Sequence, residues 1–353
     1  MSSSYPLQSR ISSMSICVIE MCIVDRLQIP GVGCRVWRHL LAEARERQFD
    51  RPEQRQPRLG VSDDWNATAA GLHSSHHRLF DKRGAIYSSR PDSYLGQELL
   101  CKGETHLLLM GYTPAWRHLR KVFMSVLNIT TVQSLRPLQQ AEASQAMKQS
   151  CDSPEQFAQH IRRYATSVIL SSVFGKRGHD YHDHDVQELY RLQDEFSEIL
   201  GPGNTPPADM FPFLRYIPTS IAKWKQRAAK IREGQQNLYL GLLAKTKKRV
   251  ARGEYVNCFM DRLLSKGERE KHQLDDEHIA YVGGVMMEAG SDSTSLTLLS
   301  FILAMLKHPH VLEKAQAEVD ALCGTSRSPT YEDVANLPYV CALVNEVRFP
   351  SCG

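Results

Sequence analysis

Residues 278–307 constrain the fold more than any other part of the chain. Asp275, Asp276 and Glu277 stand just before the run and supply a side-chain cap and negative charge for a helix N-terminus. His308-Pro309 stops the helix, because proline cannot continue the hydrogen-bond ladder. At about 1.5 Å per residue the helix spans roughly 45 Å. Its second half, with Leu296, Leu298, Leu299, Phe301, Ile302, Leu303, Met305 and Leu306, is apolar on nearly every face. A helix of that kind runs through the middle of a domain and not over its surface. Glu288 and Asp292 argue against a membrane span, and no other segment offers about 18 consecutive apolar residues.

The rest of the chain changes character near residue 72. Before Lys82 there are ten Arg and no Lys, and residues 45–58 have almost nothing apolar to bury, so that stretch reads as a solvated linker. Residues 1–71 form an irregular N-terminal segment with one short helical stretch over 36–44. Residues 1–18 are Ser-rich and free of acids; they read as an irregular start, with a mitochondrial presequence as the other reading. From 72 to 353 the pattern is helical, with further helices expected over 116–127, 131–150, 154–174, 186–200 and 220–253. Residues 201–218 hold five prolines and several aromatics and form a long connection. The fold class is therefore mainly α with a minor β component.

Composition excludes several functions. Of 353 residues, 42% are hydrophobic and 23% charged, ordinary for a folded protein. The net charge of +4 comes without a dense Lys/Arg block, so nucleic acid is not the main partner. Nine scattered cysteines include no CxxC pair, which rules against a zinc ribbon and reads as reduced thiols in a cytosol-facing protein. The run His179-Asp180-Tyr181-His182-Asp183-His184-Asp185 lacks helical i, i+4 histidine spacing and reads as a solvated loop, so no metal site is assigned to it.

The middle of the long helix carries Ala289-Gly290-Ser291-Asp292-Ser293-Thr294-Ser295. Small residues let another group approach the backbone, and an acid beside hydroxyls is costly to bury without a purpose. This segment resembles the oxygen-binding helix of the cytochrome P450 family, [AG]-G-x-[DE]-T-[TS]. Trp116-Arg117-His118-Leu119-Arg120 resembles the family's W-x-x-x-R helix, and Tyr87-Ser88-Ser89-Arg90-Pro91 the segment leading to it. Lys307-His308-Pro309-His310-Val311 through Glu318-Val319-Asp320, then Leu337-Pro338-Tyr339-Val340 to Asn345-Glu346, is similar to the stretch that follows the long helix. The similarity covers about four-fifths of the chain, residues 72–346, and has the flavour of fungal secondary-metabolism members.

The resemblance implies a partial cytochrome P450 domain over 72–353 and a haem-thiolate monooxygenase that oxidises a lipophilic metabolite with electrons from NADPH-cytochrome P450 reductase. It implies that Asp292 and Ser293 relay protons, with Thr294 as a substitute only if the helix rotates locally. Ser293 stands where the family usually has Thr and lacks the methyl that restricts its rotamer. Ala289 and Gly290 border the haem, and Trp116 and Arg120, at i and i+4, donate to a propionate. Full-length relatives are anchored on the endoplasmic reticulum facing the cytosol; without such an anchor the chain is expected in the cytoplasm.

Two departures matter. The family's F-x-x-G-x-R-x-C-x-G loop, source of the thiolate, is not matched; Cys352, Cys341 and Cys323 are read as ordinary thiols. The family's E-x-x-R pair is replaced by Glu346-Val347-Arg348, which sets Glu and Arg about 200° apart around a helix. The expectation is a truncated chain that lacks activity because the thiolate loop is missing, as mis-splicing would produce. The alternative is a non-catalytic relic or a helical binding protein. Asn66 and Asn128 sit in chance glycosylation sequons. Gly283-Gly284 serve either helix packing or substrate access, and Phe211, Phe213 and Tyr216 either line a channel or plug a long loop.

Overall fold

The computed structural model describes residues 89–348 except 102–104, 127–132, 273 and 325–326. The expectations for residues 1–88, for Asn128 and for Cys352 lie outside the described residues. Among the described residues ten α-helices follow in order: α1 (Pro114–Val126), α2 (Arg136–Asp152), α3 (Phe157–Phe174), α4 (His184–Leu200), α5 (Lys223–Ala251), α6 (Phe259–Leu263), α7 (Lys266–His272), α8 (Asp276–Lys307), α9 (Pro309–Cys323) and α10 (Pro338–Arg348). A seven-residue π-helical turn, Tyr94–Leu100, precedes them. No strand occurs among the described residues, so the minor β component is not seen there.

Local chemistry sets the helix ends. Asp275 caps α8 by accepting from the His278 amide at 2.8 Å, and Pro309 occupies the first turn of α9. Asp180 accepts from the His182 amide at 2.7 Å, Asp183 caps α4, and Asp185 is held by Lys176 and Lys245, which accounts for the acids of the 179–185 run. Burial alone would raise the Asp185 carboxyl, but hydrogen bonds from the two lysines outweigh it and hold the pKa below its ordinary value. Glu318 of α9 caps α10 with both oxygens, accepting from the Tyr339 and Val340 amides at 2.9 and 2.8 Å.

The long helix α8 is the axis. It packs most extensively on α3, then on α5, α10 and α9. Its first half, Ile279 to Met287, is buried at every position and joins a core with α1, α3, α4, α5 and α6. Its second half contributes Leu298, Phe301, Ile302 and Met305 to another core with α2, α3, α9 and α10. The sequence pointed to the second half as the part enclosed all round; the structure gives that place to the first half. Glycines are the reason. A Cβ on Gly283 would overlap the side chains of Met260 and Phe174, and one on Gly284 would overlap the Tyr239 ring. Gly283 and Gly284 therefore serve packing, letting α3, α6 and α5 close on the helix from two sides. Among the described residues α8 alone is long and apolar enough to cross a membrane. Its neighbours on all sides of the first half make it a core helix here.

One buried ion pair was not legible in the sequence. Arg163 of α3, fully buried, pairs with Glu142 of α2, which also accepts from Arg177. The connection from α4 to α5 departs from both sequence readings. Phe213 and Tyr216 are 67% and 86% exposed and Phe211 is 49% exposed, so these rings neither plug the loop nor line an enclosed channel. The loop is tied down by Lys225, whose Nζ donates to the carbonyls of Arg215 and Ile217 at 2.6 and 2.8 Å.

Two predictions follow from this packing, both read by guanidinium denaturation. Gly284→Ala costs about 1–3 kcal/mol by overpacking, whereas Gly241→Ala, in the α5 interior with nothing within 4 Å, gains about 0.5–1 kcal/mol. Equal effects at the two sites would contradict the close approach at Gly284. Glu142→Gln costs about 3–5 kcal/mol because it removes the negative charge facing the buried Arg163 guanidinium, and the double variant Glu142→Met/Arg163→Met recovers most of that loss.

Candidate active site

Between the two cores lies the waist of α8, residues 288–297, which carries the hydroxyl-rich motif. Every second residue from 291 to 297 carries a hydroxyl that bonds back to its own helix: Ser291 to the Glu288 carbonyl at 3.2 Å, Ser293 to Ala289 at 2.6 Å, Ser295 to Asp292 at 3.1 Å and Thr297 to Ser293 at 2.8 Å. Ser291 and Ser295 are buried. Ala289, Asp292, Ser293, Leu296 and Ser300 are exposed, with Leu296 at 54%. These exposed positions recur at helical spacing and form one stripe of small, apolar and acidic character along the waist. Thr294 is half-buried beside it. Gly290 faces the other way: a Cβ there would stand 2.8 Å from Ile169 Cγ1 of α3, so this glycine sets the α3–α8 distance. The structure thus brings Ala289, Asp292 and Ser293 onto one open face and places Gly290 in the packing behind it.

Asp292 has its carboxyl pushed above the ordinary value. Desolvation against the helix wall is the main cause; Arg162 opposes it and Asp194 adds to it. Behind the stripe, the buried Tyr190 of α4 accepts from Thr166 at 3.2 Å and donates to the Arg162 carbonyl at 3.1 Å, and burial pushes its phenol up to about 12. The helix wall behind the motif is therefore fixed by neutral hydrogen bonds.

One turn before Asp292 stands a cluster that sequence reasoning missed. Glu288 had a signal, an acid in an apolar run, but its partners come from distant segments. Its Oε1 accepts from Gln235 Nε2 at 3.0 Å and from the Tyr239 hydroxyl, both on α5, and its Oε2 meets His106 Nε2 at 3.2 Å. Gln193 of α4 donates to the Glu288 carbonyl at 2.8 Å and to Ser291 Oγ at 3.3 Å. Burial, with the Glu288 charge adding, pushes the neighbouring Tyr239 phenol and Cys101 thiol well up.

Trp116 and Arg120 lie on one face of α1, as their spacing requires, with the guanidinium 5.1 Å from the indole centroid. The Trp116 Nε1–H donates to the Leu107 carbonyl at 3.2 Å, while Arg120 is exposed and turned to solvent. The haem that the resemblance implies was tested against these groups. On the oxygen side the open Ala289–Ser293 face suits a flat apolar group with a proton donor beside it. The thiolate is another matter. Cys101, Cys151, Cys258, Cys323 and Cys341 all have thiols pushed up, in each case first by burial, so none of the described cysteines is poised as an anionic iron ligand. Among the described residues no group of three or more His, Cys, Asp or Glu side chains is arranged to hold a metal ion. Glu346 and Arg348 both fall within α10.

Comparison with known proteins agrees with the motif. The Cytochrome P450 family profile matches residues 66–348. The chain is 37% identical to the cytochrome P450 monooxygenase acuC of Aspergillus aculeatus over 76% of this chain and 50% of that protein. It is 39% identical to the cytochrome P450 monooxygenase yanC of Aspergillus niger over 80% of this chain and 56% of that protein. The chain spans about half the length of the curated relatives it matches. A zebrafish cytochrome P450 solved with progesterone superposes with a TM-score of 0.60 at 21% identity, covering 77% of this chain and 62% of that one, a likeness of fold. With its long axial helix, its oxygen-side motif and a family match over most of its length, the chain belongs to the cytochrome P450 family.

Proposed function

We propose that this chain forms the oxygen-side wall of a cytochrome P450 monooxygenase that oxidises a lipophilic fungal metabolite, drawing electrons from NADPH through cytochrome P450 reductase. The observation that carries the reading is the open stripe of Ala289, Asp292 and Ser293 on a helix otherwise enclosed by protein. Haem iron with a thiolate ligand supplies oxygen activation in this family. The described residues contribute the other side. Asp292 holds a proton on its carboxyl more readily than an ordinary aspartate. The Ser293 hydroxyl, bonded to the Ala289 carbonyl, can turn from that carbonyl toward the open face at the cost of one hydrogen bond. Leu296 supplies apolar surface beside them. Trp116 and Arg120 are the candidates for contact with a propionate, Arg120 through its exposed guanidinium.

A second reading, a non-catalytic helical binding protein, draws on one observation: all five described cysteines are held toward the neutral thiol. The carbon monoxide difference spectrum of the reduced chain separates the two. A Soret band at the thiolate position supports the monooxygenase; its absence supports the binding protein.

The stripe itself is tested without iron chemistry. Haemin titrated into the full chain binds, and Ser293→Trp, which fills the open face, weakens uptake at least about tenfold (roughly 1.4 kcal/mol). Uptake indifferent to that substitution would place the haem elsewhere. The raised Asp292 pKa also has a defined sign. A raised carboxyl pKa means the charged form is disfavoured in the fold, so a cost is present at neutral pH and vanishes as the pH falls below the ordinary value of 3.8. Asp292→Asn therefore raises Tm slightly at pH 7, and the gap closes near pH 3.5, as followed by circular dichroism.

A further inference from the structure

A cavity of about 410 Å³ opens between α5 and the π-helical turn Tyr94–Leu100, a volume in the range of small-molecule sites. No residue of α4 or α8 lines it, so it is separate from the open stripe of the waist. Lys225, Ala229 and Arg232 stand at i, i+4 and i+7 on α5 and turn one face of that helix to the cavity. Leu99 and Ala229 supply apolar wall. Four charged side chains complete the lining: Lys225, Arg232, Glu98 and Glu233. Two of them are engaged. Lys225 is 6% exposed and donates to the two loop carbonyls named above, and Glu98 stands 3.8 Å from the Arg215 guanidinium. The other two are not. Arg232, half-buried, and Glu233, exposed, have no hydrogen bond or ion pair among the described residues. As neighbours in sequence they diverge by about 100° around the helix and do not pair with each other. The groups that feel the Arg232 charge are the buried Cys101 thiol and Tyr281 phenol, neither of them a counterion. The cavity therefore offers one uncompensated guanidinium, one free carboxylate and an apolar wall.

We propose that this cavity binds a zwitterion, an α-amino acid with an apolar side chain. The ligand's carboxylate pairs with Arg232, whose planar fork suits two parallel hydrogen bonds, and its ammonium pairs with Glu233. Its side chain lies on Leu99 and Ala229. A ligand with one of these charges leaves the opposite group of the cavity without a partner, which is the source of the selectivity. The proposal stands apart from the monooxygenase reading.

The test is a matched set, norleucine, hexanoate and hexylamine, titrated into the full chain with ligand-observed NMR as the readout of Kd. Norleucine binds about tenfold tighter than either of the others, equivalent to roughly 1.4 kcal/mol. Arg232→Gln removes the carboxylate partner, and norleucine then holds an advantage of about twofold or less over hexylamine. Glu233→Gln removes the ammonium partner, and the advantage over hexanoate falls to about twofold or less. Ser293→Trp, which fills the open stripe and does not line this cavity, leaves norleucine binding unchanged. Should Arg232→Gln fail to fold by far-UV circular dichroism, Glu233→Gln, at an exposed position, carries the comparison alone. Equal affinities for the three compounds, no binding of norleucine, an advantage that survives in a folded charge variant, or norleucine binding lost in Ser293→Trp would overturn the proposal. Because no iron is involved, these outcomes are independent of the carbon monoxide spectrum.

Discussion

Everything else in this fold depends on how closely other helices approach α8. Gly283 and Gly284 admit Phe174 and Met260 on one side and Tyr239 on the other, and Gly290 admits Ile169. These contacts bring backbone near side chain at the three places where a larger residue would force the helices apart. The consequence is a helix anchored in two cores, with a waist between them whose one open face is defined by the packing of the other faces. The site is thus a by-product of where the packing stops.

The waist sorts its polar groups in two directions. Ser291 and Ser295 turn inward, Ser291 to Gln193 of α4, while Asp292 and Ser293 turn outward. Within five consecutive residues, 291–295, the helix goes from holding its neighbours to presenting chemistry and back. Glu288 lies at the hinge of these roles, tying α5 and the segment around His106 to the same turn that leads into the motif. A single half-buried carboxylate thereby ties together segments 182 residues apart in sequence.

Much of this was legible in the sequence. The long helix announced itself through Asp275, the Pro309 stop and an apolar run, and its observed ends differ from the expected ones by two residues at the start and none at the finish. The motif residues were legible because small and hydroxylated side chains interrupt an otherwise apolar helix. What the sequence did not reveal was long-range pairing. Nothing in the neighbourhood of Glu142 names Arg163, and nothing near Glu288 names His106 or Gln235, because those contacts depend on tertiary register. The aromatics of the α4–α5 connection misled for a related reason: hydrophobicity predicts burial only where an element is available to cover it, and none among the described residues covers Tyr216. The sequence reading also misjudged which half of α8 is enclosed, since leucines marked the second half while the enclosure is decided by glycines in the first.

The claim at the centre of this account is that α8 presents Ser293 to the outside and buries Ser295 two residues on. Single-cysteine substitution reports it directly. Ser293→Cys and Ser295→Cys are each introduced, and maleimide labelling at the new thiol is followed by peptide mass spectrometry under native conditions. The account predicts fast labelling at 293 and labelling at 295 slowed by at least about a hundredfold, limited by opening of the fold. Comparable rates at the two positions would contradict it.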